Sequence, residues 1–154
     1  MVIFGAGRIG RSFIGQLFSR SGYEIVFIDI NTRLVDALNR SRHYKVVVKS
    51  DFPDEVLVIE PVRGISFSDK DQVLQELATA GIVALSVGQQ GIPATLPLIA
   101  EALQLRMEKM GRTPLDFIIA ENMRNADHYL STELRKLLPG DYPFDQLVGL
   151  VETS

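Results

Sequence analysis

Val2-Ile3-Phe4-Gly5-Ala6-Gly7-Arg8-Ile9-Gly10, running on through Arg11-Ser12-Phe13-Ile14-Gly15-Gln16-Leu17-Phe18, is the stretch whose reading decides the fold. The three apolar residues before Gly5 read as a short buried strand. Behind the glycines, Ile9, Phe13, Ile14, Leu17 and Phe18 fall on one helical face, expected to be the buried one, and Ser21-Gly22 ends that helix. A glycine-rich turn between a strand and a helix has a physical use. Gly5 makes the tight turn, Gly7 lets a pyrophosphate approach the backbone, and Gly10 lets the helix pack close to the strand. The whole turn, Gly5, Ala6, Gly7, Arg8, Ile9 and Gly10, is therefore a candidate dinucleotide cradle. Its free N–H groups and the positive end of the helix dipole face the phosphates.

The spacing alone is a weak signal, and an acid further along strengthens it. Tyr23 to Ile28 reads as the second strand, and Asp29 stands at its end, 19 positions beyond Gly10. A carboxylate there can accept hydrogen bonds from an adenosine ribose and would repel a 2′-phosphate, which favours NAD over NADP. Arg33 is the competing feature, since an arginine nearby could pair with that phosphate. Asn31 is a candidate contact and also a candidate cap for the helix carrying Leu34, Val35 and Leu38.

Outward from this unit the same rhythm repeats, with one interruption. Tyr44–Lys49 and Val56–Ile59 are β-rich, and Ser50-Asp51-Phe52-Pro53-Asp54 between them is turn-forming, so a small antiparallel excursion follows the second helix. Ile65–Phe67, Ile82–Val87, Leu115–Ala120 and Leu147–Val151 are the remaining strands of the main sheet. Helices lie between them: one from Ser68-Asp69, a long one through Leu96, Ile99, Leu103, Met107 and Met110, and one begun by Asn125 or Asp127. Six strands with helical crossovers predict an α/β, doubly wound parallel Rossmann sheet of order 3-2-1-4-5-6, with residues 1–154 as one domain. The ligand crevice then lies where the first and fourth strands part. That singles out Val87 and Gly88 after the fourth strand and Asn122, within Glu121-Asn122-Met123, after the fifth. Gly88 has turn geometry as its rival role, and Asn122 has helix capping.

Composition narrows the function classes. A net charge of −3 gives no electrostatic footprint for nucleic acid or a membrane surface. Without cysteine and with two histidines, His43 and His128, neither a disulfide nor a protein zinc site is expected. The N-terminus carries no leader pattern, so a cytoplasmic location is the expectation.

Taken together, Phe4-Gly-Ala-Gly-Arg-Ile-Gly-Arg-Ser-Phe13, Asp29-Ile-Asn31, Arg42-His-Tyr44, Ser86-Val-Gly88, Glu121-Asn-Met123 and Val148-Gly-Leu-Val-Glu-Thr-Ser154 resemble the polyol-specific long-chain dehydrogenases, and among them the mannitol-1-phosphate 5-dehydrogenases. The resemblance implies an NAD(H)-binding domain of an oxidoreductase interconverting mannitol 1-phosphate and fructose 6-phosphate. It also implies a helical C-terminal domain bearing a Lys-x-x-x-Asn-x-x-His pattern. None of the lysines, at 45, 49, 70, 109 and 136, fits it, and Glu121 stands where that lysine would precede Asn125 and His128. The expectation is that the catalytic and substrate-binding domain lies outside these residues, that no catalytic residue is among them, and that polyol or polyol phosphate binds only in a longer parent. The alternative is a redox-sensing or regulatory dinucleotide-binding module with no chemistry of its own.

Overall fold

A computed structural model describes residues 1–49 and 51–153; Ser50 of the expected turn and Ser154 of the closing motif lie outside the described residues. The elements run β1 (Val2–Phe4), a π-helical segment (Gly10–Gly15) continuing as α1 (Gln16–Arg20), β2 (Ile25–Asp29), α2 (Thr32–Ser41), β3 (Tyr44–Val48), β4 (Glu55–Ile59), β5 (Val62–Ser66), α3 (Lys70–Thr79), β6 (Val83–Leu85), α4 (Ile92–Met110), β7 (Leu115–Ile119), α5 (Ala126–Leu137), α6 (Phe144–Leu147) and β8 (Val148–Glu152). Six strands form one parallel sheet, β5-β2-β1-β6-β7-β8, and β3 and β4 pair apart from it as an antiparallel ribbon. Counted along the main sheet, this is the expected 3-2-1-4-5-6.

The sheet strands are apolar on both faces because helices cover both. Alternation splits β1 between two cores. Val2 and Phe4 join Val73, Leu77, Ile99, Leu103 and Leu130 under α3, α4 and α5. Ile3 joins Ile14, Phe27, Leu38 and Ile59 on the opposite side, where Tyr44, Val46 and Leu57 of the ribbon close the layer. At the open edge, β5 is protected by a side chain. Asn39 donates to the Gly64 carbonyl (2.9 Å) and accepts from its N–H (2.8 Å), as a neighbouring strand would.

Two expected apolar stripes divide differently. On the first helix Ile14 is buried, but Ile9, Phe13 and Leu17 are 50%, 56% and 42% exposed. Gly10 draws the helix so close to the sheet that only a narrow row touches it. The π-helical segment, with its wider i→i+5 turn, lets the neighbouring row swing outward. At the end of α4, Met107 and Met110 face out, and the buried residue is Arg106, 4% exposed. Its Nη1 donates to the carbonyls of Ala78 (2.9 Å) and Ala80 (2.8 Å), its Nη2 to Pro114 (2.9 Å) and its Nε to Thr113 (3.0 Å). The carbonyls at the end of α3 need donors, and a planar fork reaches several of them at once. Helix α5 begins after Asn125, but that residue is left-handed (φ 55°) and makes no side-chain cap.

Replacing this fork should be costly. Arg106→Leu leaves four carbonyls without donors, so a loss of about 3 kcal/mol is expected. Arg106→Lys should recover only part of it, because one ammonium cannot span the same acceptors. Thermal melts of the two variants against the unsubstituted chain measure both.

Candidate functional site

The carboxyl ends of β1, β2, β6 and β7 meet around the glycine turn. Gly5 has φ +93°, and a Cβ on it would lie 2.1 Å from the Ser86 carbonyl oxygen. A Cβ on Gly10 would lie 2.1 Å from the Gly5 oxygen. Both therefore serve the turn and the packing, as expected. Gly7 is different. Its φ is not in the left-handed range, and nothing lies within 4 Å of where its Cβ would point. No internal constraint requires a glycine there; the space beside it is open.

The first helix starts just past that opening. The Arg11 N–H bonds back to the Gly7 carbonyl at 3.1 Å, so the amides of Arg8, Ile9 and Gly10 stand at the helix's unsatisfied end. Tyr44 reaches over from β3, and its hydroxyl donates to the Arg11 carbonyl at 2.7 Å inside the π-helical segment. Gly15 makes room for it, since a Cβ there would meet that hydroxyl at 2.4 Å. Burial raises the pKa of the phenol, which stays a donor at physiological pH.

Two carboxylates hold the turns on either side of the sheet's midline. Asp29 accepts from the Ala6 N–H (2.7 Å) through Oδ2 and from the Asn31 N–H (2.8 Å) through Oδ1. Glu121, 8% exposed, accepts from the N–H groups of Val87 (2.7 Å) and Gly88 (3.0 Å) through Oε1. Burial pushes the Glu121 carboxyl above its usual range, and the two backbone donors partly offset this.

Two clefts open beside the glycine turn and the helix start. One, of about 440 Å³, is walled by Gly5, Gly7, Ile28, Asp29, Ile30 and Phe67, with Ser86, Val87 and the first turn of α4 opposite. The other, of about 770 Å³, lies between Ile9 and Phe13 and the chain after β7, at Glu121, Asn122 and Met123. Of the expected contacts, Gly5, Gly7, Asp29 and Val87 line the first cleft, Ile9 and Asn122 the second. Ala6 and Gly10 are buried beneath the turn. Gly88, at φ +79°, shapes the β6–α4 turn. Asn31 caps α2, its Oδ1 accepting from the Leu34 N–H at 3.2 Å. Arg8 points to a separate hollow on the helix flank. Sequence reasoning did not single out Ile30, Phe67 or Phe13 as cleft walls. Their only signal was position, at strand ends and on an apolar stripe too wide for its contact. Among the described residues no group of acids and histidines could hold a metal ion, and no helix is long and apolar enough to cross a membrane.

The family model described as "Mannitol dehydrogenase Rossmann domain" matches residues 1–152. The mannitol-1-phosphate 5-dehydrogenase of Geobacillus stearothermophilus is 36% identical over 155 aligned residues, covering 99% of this chain and 40% of the relative. That of Halalkalibacterium halodurans is 41% identical, over 82% of this chain and 33% of the relative. The chain thus spans about two fifths or less of the length of these relatives. A solved Pseudomonas fluorescens mannitol 2-dehydrogenase, in ternary complex with NAD and D-mannitol, superposes with TM-score 0.74 at 16% identity, over 96% of this chain and 39% of that one. A D-sorbitol dehydrogenase superposes with TM-score 0.75.

The geometry at Glu121 has a measurable consequence. An acid whose pKa is raised by folding stabilises the fold fully below its unfolded pKa and loses that contribution as pH rises through the folded value. At neutral pH Glu121→Gln, which keeps the acceptor without the charge, should melt no lower than the unsubstituted chain. Any advantage should vanish on acidification. Glu121→Ala strands two backbone donors and should lose about 1–3 kcal/mol. Melts across the acid-to-neutral range compare the three.

Proposed function

We propose, from the premise that this chain belongs to the mannitol dehydrogenase family through its Rossmann domain, that it binds NAD(H) for an oxidoreductase acting on a polyol or polyol phosphate. Gly7 is the observation that carries the reading. A residue without a side chain stands where neither backbone conformation nor packing asks for one, facing the open space of the smaller cleft. A ligand that must approach the backbone closely supplies the reason.

The residues fit a dinucleotide laid across the turn. The smaller cleft offers apolar walls at Ile28, Ile30 and Phe67 for a base. Asp29 stands beside them, where each carboxylate oxygen keeps a lone pair for a ribose hydroxyl after accepting its backbone N–H. The amides at the helix start suit a diphosphate. The larger cleft suits the nicotinamide half, with Ile9 and Phe13 as an apolar wall that excludes water from one side and Asn122 as a neutral polar group on the other. The cofactor, when bound, supplies hydride chemistry at its nicotinamide ring, and these residues position and shield it. Mannitol 1-phosphate is the substrate that the relatives' names suggest for the whole protein.

Asp29 sets the expected cofactor preference. NADH should bind more tightly than NADPH, whose 2′-phosphate would meet that carboxylate, and calorimetric titration with each cofactor compares them. Tighter NADPH binding would assign control of the pocket to Arg33 instead.

The test of the site itself is Gly7→Val. Its open surroundings predict an unchanged melting temperature and at least a tenfold loss of NADH affinity, about 1.4 kcal/mol. A lowered melting temperature with unchanged affinity would overturn the assignment.

A further inference from the structure

The first helix has a third surface, turned away from both clefts. Between its first two turns and β3 lies a hollow of about 250 Å³ lined by Arg8, Arg11, Ser12, Tyr44, Lys45 and the two β3 valines that follow. Three cations gather there in a chain whose net charge is −3. No acid lines the hollow. Among the described residues none of the three has an ion pair or a side-chain hydrogen bond; Arg20, Arg33, Arg40 and Arg124 are likewise unpaired, but Arg8, Arg11 and Lys45 share one hollow. Arg11 is the clearest case: its Nε is buried with no acceptor.

We propose that this hollow is an anion site for a phosphate group, held by Arg8, Arg11 and Lys45 on the flank of the first helix. Three like charges close together repel one another, and an anion between them removes that cost while gaining charge-assisted hydrogen bonds. A guanidinium fork matches two phosphate oxygens, and an ammonium on a flexible stem closes on a third. The Ser12 hydroxyl donates to the Arg8 carbonyl (2.6 Å) and the Tyr44 hydroxyl to the Arg11 carbonyl, so recognition falls to the cations. The hollow lies on a different helix face from Ile9 and Phe13, so a group in the larger cleft does not occupy it. The site does not depend on the dinucleotide reading. Its phosphate belongs to a separate small phosphoester, because the diphosphate of a dinucleotide has its own place at the helix-start amides.

Inorganic phosphate is the probe, titrated into the 154-residue chain at constant ionic strength and followed by amide chemical shifts. The expected result is saturable binding, with the shifts centred on Arg11, Ser12 and Lys45. Affinity should fall at least tenfold in Arg11→Gln/Lys45→Gln. If the double variant melts lower, Lys45→Gln alone, at an exposed strand position, reads the same loss. Repeating the titration with NADH present separates the sources. Additive binding means a separate phosphoester. Displacement by NADH would overturn the separate site and assign the anion to the diphosphate position at the helix start. Absence of saturable binding, or equal phosphate affinity in the chain and its variants, would overturn it.

Discussion

Everything at the carboxyl edge of the sheet depends on two contacts that admit no side chain, Gly5 against the Ser86 carbonyl and Gly10 against the Gly5 carbonyl. They bring β1, β6 and the first helix to a common point. The helix start lies over the gap between β1 and β6 only because these backbones touch. A methyl at either position would meet backbone oxygen, which has no rotamer to yield. The separation of helix from sheet is thereby set, along with which of its apolar residues can reach the core. Ile14 does; Ile9 and Phe13 stand clear and become a cleft wall.

On either side of that junction an acid repeats the same arrangement. Asp29 at the end of β2 grips the turn after β1, and Glu121 past the end of β7 grips the turn after β6. In each case the outer strand's carboxylate accepts from the inner strand's loop, one N–H (Ala6) at Asp29 and two (Val87 and Gly88) at Glu121, so both loops bordering the crevice are tied to the sheet beside them. Asp29 thus fixes the glycine turn through its backbone contacts. The acid proposed to meet a ribose is the one that fixes the glycine turn, so a substitution there reads out on the turn as well as on cofactor binding.

The parallel sheet was legible because its signals are local: buried apolar runs, Gly22 as a helix stop, and Asn31 as a cap that the structure shows in place. The turn and packing roles of Gly5 and Gly10 were legible for the same reason, since strand, turn and helix lie within one short stretch. What stayed hidden depends on neighbours distant in sequence. Arg106 looks like an exposed helical cation until the end of α3 presents it with carbonyls, and Met107 looks buried until Arg106 takes the inner position. Tyr44 looks like an ordinary strand aromatic until Gly15 opens a slot for its hydroxyl. The purpose of Glu121 lies 33 and 34 residues back, at amides no periodicity could pair with it.

The Tyr44 contact also bears on how such a domain can be remodelled. The ribbon of β3 and β4 is an ornament to the parallel sheet in topology, joined to it by no strand pairing. Yet its first residue donates to the Arg11 carbonyl within the widened helical turn and packs its ring against Phe27. Trimming the ribbon to reach a minimal scaffold would remove that donor and open a slot beside Gly15. The helix would then be free to rewind to ordinary pitch, rotating its start relative to the strands. An economy made at the periphery would be felt as a misaligned mouth.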